Sequence, residues 1–121
     1  MAALICLIGR ELKLGRPVSV LLGACLVLTP VFLWRMPIHM ALAGHWVLLW
    51  ALLLYVKDRP PLYAWPLMLA VGSAVHAYLL AMALAIWAAS LLARLWMRHI
   101  GWPRAGLELL LGLAATLAVL W

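Results

Sequence analysis

Acidic side chains are nearly missing from this sequence. Three occur in 121 residues, against nine lysines and arginines, and only 10% of the chain is charged. Soluble globular chains are about half apolar and about a quarter charged, whereas 70% of this one is hydrophobic. The polar residues are too few to cover a folded surface in water, which excludes an ordinary soluble domain. Two cysteines cannot staple a secreted module, and so much apolar character excludes disorder. The composition points to an integral membrane protein.

The missing carboxylates also restrict the chemistry. Glu11, Asp58 and Glu108 are the whole acidic inventory. There are no paired carboxylates, no Ser-His-Asp set and no phosphate-cradling glycine loop. Cys6 and Cys25 stand nineteen apart, which is no metal spacing, and read as small buried apolar residues. No metal site and no cofactor is expected, and the chain does not read as a complete enzyme.

What is present is basic charge, net +6, arranged in clusters. Arg10, Lys13 and Arg16 form one, Lys57 and Arg59 a second, and Arg94, Arg98 and Arg104 a third, with Arg35 alone between the first two. A nucleic-acid footprint needs cations along one wet face. Clusters that bracket apolar runs instead set membrane orientation, so no nucleic-acid partner is expected. A bilayer core needs about 17–25 apolar residues of helix. Residues 17–34, 38–56 and 105–121 supply three such runs, separated by charged or proline-rich turns such as 57–61.

Residues 62–93 carry no formal charge. As one helix they would measure about 48 Å, too long for a crossing without strong tilt. If the chain turns back near His76 and the N-terminus is cytoplasmic, eight basic residues fall inside and only Arg35 outside; without the turn the split is five to four. The positive-inside rule therefore predicts an all-α, polytopic transmembrane bundle of about five crossings, spanning 17–34, 38–56, 62–75, 79–97 and 105–121. The 62–75 piece is either a short span or a re-entrant one. Residues 1–16 read as an interfacial helix or the tail of a truncated one, and 17–121 as a single transmembrane domain. The expected location is the inner (plasma) membrane.

In this arrangement Trp34, Tyr78 and Trp121 fall at the outer interface, and Tyr55, Tyr63, Trp65, Trp96 and Trp102 at the inner one. Trp46, Trp50 and Trp87 lie deeper. Ala81, Ala85 and Ala89 recur every four residues, and Ala41 and Gly44 three apart, which either marks close helix contacts or reflects an alanine-rich composition. Glu108 follows Arg104 by four residues, a spacing that permits an ion pair on one helix face.

Arg35, His39, His45, His76 and Tyr78 all fall on the outer half. Polar side chains within spans are costly and mark candidate sites, and a guanidinium grips phosphate bidentately. Together they could hold a lipid phosphate or pyrophosphate. Blander roles stand beside this one. Arg35 could snorkel to the interface, each histidine could bond a neighbouring carbonyl, and His76 and Tyr78 could be plain turn residues. His45 and His76 lie at different depths in their expected spans, which argues against haem.

The run from Pro30 through Trp34, Arg35, His39-Met40-Ala41-Leu42 and His45-Trp46 resembles a family of large bacterial polytopic membrane proteins of unknown function, itself similar to GT-C type membrane glycosyltransferases. A second patch, Val75-His76-Ala77-Tyr78-Leu79-Leu80-Ala81-Met82, resembles it too, with Ala77 where the family typically has proline. The resemblance covers residues 17–97. It implies that the five residues line an outward-facing pocket for a polyprenyl-phosphate-linked sugar. It also implies that the chain is a fragment, since nothing here matches the acidic catalytic residue that GT-C enzymes carry in an early extracytoplasmic loop. Two other readings are a small structural or assembly subunit that docks on other membrane subunits, and a small transporter component.

Overall fold

The computed structural model describes residues 1–28 and 44–120, which form helices joined by turns, with no strand among them. Six helices follow in order: α1 (Ala2–Glu11), α2 (Arg16–Val27), α3 (Trp46–Val56), α4 (Ala64–Val75), α5 (Ala77–Trp96) and α6 (Trp102–Leu120). Pro17, Pro66 and Pro103 all sit in the first turn of their helices. There the missing N–H has no intrahelical partner to lose.

Among the described residues, two helices are long and apolar enough to cross a membrane, Ala77–Trp96 and Trp102–Val119. The helical parts of α2, α3 and α4 hold 12, 11 and 12 residues, about 17–18 Å each.

The uncharged stretch 62–93 is two helices. His76 breaks it with an extended backbone (φ −168°, ψ 132°), and its Nδ1 accepts the Tyr78 backbone N–H at 3.1 Å, capping α5. The chain reverses there. A Cβ on Gly112 of α6 would touch both Leu69 of α4 and Trp87 of α5, residues that would lie about 27 Å apart on a single rod.

The short α4 is the hub. Trp65, Met68 and Leu69 are completely buried, and α4 packs on α3, α5 and above all α6. Val47, Ala51 and Leu54 of α3 and Leu80, Ala83 and Trp87 of α5 complete this core. Trp65, expected at an interface, is thus a core residue, because Ala64 and Trp65 enter the bundle directly after the 57–61 turn. α1 packs on α2 and α3, and Gly9 meets Ser19 so closely that a Cβ would lie 2.8 Å from the Ser19 Cβ. Cys6 and Cys25 are exposed, not buried as expected. Ile5 packs on Gly23 in the seam between α1 and α2.

α5 ends in paired C-terminal hydrogen bonds, Arg98 N–H to the Leu95 carbonyl (3.0 Å) and His99 N–H to the Arg94 carbonyl (2.9 Å). Arg98 takes the left-handed conformation that this closure requires (φ 56°).

Two glycines of α6 should respond oppositely to alanine. At Gly112 the new Cβ would lie 2.6 Å from Trp87 Cζ2, while at Gly106 nothing stands within 4 Å. Gly112→Ala should lose about 1–3 kcal/mol through overpacking, and Gly106→Ala should gain up to about 1 kcal/mol of helix propensity. Thermal unfolding in detergent micelles checks both. Equal effects at the two positions would contradict the packing described.

Candidate functional site

The two ends of the bundle differ. At one end Gly44 lies against Val75 and Leu79. The chain entering α3 through His45 therefore shares this end with the turn of His76 and Tyr78. His45 is half-buried, and its Nδ1 is enclosed with no hydrogen-bond partner among the described residues. His76 and Tyr78 are exposed, and His76 uses its Nδ1 on the helix cap. Three of the five sequence candidates are thus at one end, and the two histidines are closer in level than the sequence suggested. Arg35 and His39, like Ala41, lie outside the described residues.

The opposite end gathers charge. Lys57 pairs with Glu11 at 3.8 Å on a partly exposed surface, and Arg104 donates to the Pro60 carbonyl at 3.1 Å. Slightly deeper lies the strongest polar contact among the described residues. Arg94 of α5 and Glu108 of α6 form a two-pronged pair, Nη1 to Oε2 at 3.1 Å and Nη2 to Oε1. Arg94 Nε also donates to the Ser90 carbonyl at 3.3 Å. Both side chains are buried, 4% and 1% exposed.

This corrects the expected contact between Arg104 and Glu108 within one helix. The i, i+4 spacing is real, but the buried face of α6 (Ala105, Glu108, Gly112 and Thr116) turns Glu108 inward, and Arg104 remains exposed to reach Pro60. The signal was available: Arg94 and Glu108 are opposite charges inside apolar runs, and such charges survive burial only by pairing.

Among the described residues, no three His, Cys, Asp or Glu side chains gather where they could hold a metal ion. The expected small-residue ridge is present but uncovered. Ala81, Ala85 and Ala89 are exposed, because α5 buries the stripe through Ala83, Trp87, Ser90 and Arg94 instead.

The fold and this site define an all-helical protein with two helices of membrane-crossing length and a charge-paired core. The chain belongs to the DUF6311 family, described as a domain of unknown function, whose family model matches residues 1–121. No curated protein matches the chain, and no solved structure does.

Removing one partner of the buried pair should be more harmful than removing both. Arg94→Met or Glu108→Leu alone should cost about 3–5 kcal/mol by leaving an uncompensated charge, and the double variant should recover most of that loss. A double-mutant cycle on detergent-solubilised protein measures the coupling. Additive losses would mean that the two side chains do not act as a unit.

Proposed function

We propose that this chain is a multi-pass integral membrane protein whose Arg35- and histidine-bearing end binds a lipid-linked phosphate, as part of a GT-C-like glycosyltransferase system rather than as a catalyst by itself. The membrane reading is carried by one observation, the inverted polarity of α6. Its buried stripe is small and polar, Ala105, Glu108, Gly112 and Thr116, while Leu107, Leu109, Leu110, Leu111, Leu113, Leu117 and Val119 are exposed. A helix folded in water shows the opposite pattern. Only 33% of the α5 span and 22% of the α6 span are buried within the chain, so neither is the core helix of a soluble domain. A surface of this kind is at rest in lipid.

The five-crossing arrangement with a cytoplasmic N-terminus is supported by the reversal at His76. Glu11, Lys57 and Arg104 share one end of the bundle, and His45, His76 and Tyr78 the other. Basic residues on one side and a sparse Arg/His set on the other suit an inner-membrane protein. The short α2, α3 and α4 are consistent with spans that are completed elsewhere in the chain or shielded by protein.

Binding itself is supported by the half-buried His45, whose enclosed Nδ1 stands unpartnered among the described residues beside the His76 turn. An anionic oxygen would suit such a group. The uncovered ridge of Ala81, Ala85 and Ala89 favours a second reading, a subunit that docks on another membrane helix by small-residue packing.

Topology and binding are separately testable. On a background with Cys6 and Cys25 replaced by serine, a cysteine placed at Ala77 should react with a membrane-impermeant maleimide added outside intact cells, and one at Asp58 should not. The reverse pattern would invert the orientation. Arg35→Ala should lower the polyprenyl-phosphate lipid that co-purifies with the protein by about tenfold, the value of one good charge-assisted contact. Unchanged lipid content would remove the phosphate-binding reading while leaving the topology intact.

A further inference from the structure

Where α5 turns into α6, an open cleft of about 1140 Å³ is lined by Leu92, Trp96, Met97, Arg98, His99 and Trp102. Trp96 and Trp102 are 90% and 80% exposed. Indole rings of this kind, apolar with one N–H, settle at the boundary between hydrocarbon and headgroups. Leu92 and Met97, also exposed, extend the apolar surface beside them.

The charge in this cleft is unanswered. The Arg98 guanidinium has no hydrogen-bond or ion-pair partner among the described residues. Glu11 is taken by Lys57 and Glu108 by Arg94, while Asp58 pairs with nothing among the described residues. Arg98 also occupies a left-handed backbone position (φ 56°), where glycine would be unstrained, and the closing hydrogen bonds of α5 hold it there. Arg98, itself exposed, lines the same cleft as the two tryptophans, next to a half-buried His99.

We propose that this cleft holds the headgroup of one anionic phospholipid, with Arg98 donating to the phosphate and Trp96 and Trp102 flanking the glycerol region. The proposal rests on the membrane reading above, and concerns the opposite end of the bundle from His45, His76 and Tyr78. Acyl chains would run along the exposed leucines of α5 and α6. The cation selects the occupant: zwitterionic lipid offers a phosphate whose charge is internally balanced, and an anionic lipid does not.

The test uses the full chain in micelles, titrated with phosphatidylglycerol or with phosphatidylcholine of the same acyl chains, and native mass spectrometry of the retained lipid. Wild type should hold phosphatidylglycerol in preference, with excess inorganic phosphate leaving it in place. Arg98→Asn, which keeps a residue tolerant of the left-handed backbone, should weaken retention about fivefold, and Arg59→Asn, outside the cleft, should not. Equal retention of the two lipids, equal retention by Arg98→Asn, or displacement by inorganic phosphate would overturn the proposal. Trp96→Phe provides a second arm should Arg98→Asn misfold, and unchanged retention there would count against the tryptophan walls. Release of the wild-type chain from membranes by alkaline carbonate would instead strike at the membrane reading itself, a result distinguishable from all of these.

Discussion

The pairing of Arg94 with Glu108 sets how the two longest helices meet. α5 and α6 otherwise touch each other little: α6 leans chiefly on α4, and α5 on α3 and α4 alike. Two parallel N–H···O contacts define a plane, so the pair fixes the rotation of α6 about its axis. That rotation faces Gly112 toward Trp87 and Leu69 and leaves the leucines outside. A single point charge such as lysine would hold the distance without holding the rotation. Burial in apolar surroundings makes the contact all-or-none, because neither charge tolerates being left alone.

The remaining polar groups follow the same discipline on a smaller scale. Ser19, Ser73 and Thr116 each turn the hydroxyl back onto the carbonyl four residues earlier, at 3.3, 2.8 and 2.9 Å. That satisfies the hydroxyl without any tertiary partner. Arg104 satisfies a carbonyl in the α3–α4 connection. A hydroxyl or carbonyl enclosed among apolar side chains has no water to turn to, so it is satisfied within the chain. His45 Nδ1, Trp65 Nε1, Trp87 Nε1 and Ser90 Oγ are the exceptions, enclosed with no partner among the described residues.

Much of the architecture is legible in the residues themselves. The helical class follows from the apolar runs, and the break at His76 from the distribution of basic residues, since a single rod would have divided them almost equally. The packing partners are not legible in that way. Arg104 and Glu108 have the better local spacing, yet Glu108 pairs with Arg94, because which helix stands opposite is a tertiary property that local spacing does not carry. Ala81, Ala85 and Ala89 have the spacing of a contact ridge, but Trp87 and Arg94 bury the other side of α5. Of the candidate site, the chain reversal explains why His45, His76 and Tyr78 share one end. Arg98 escaped notice because a left-handed arginine looks like any other basic residue until its backbone angle is seen.

The shortness of α4 has a consequence for the α3–α4 connection. A rod of about 18 Å hemmed by two of about 30 Å leaves some 12 Å of their length unaccompanied on that flank. Pro60 of the 57–63 connection is wholly enclosed at that end of the bundle, and its carbonyl accepts from Arg104. What reads in one dimension as a linker therefore serves in three as masonry. An insertion beside Pro60 would disturb an enclosed residue and a tertiary hydrogen bond, where an insertion in a true surface loop would merely hang free.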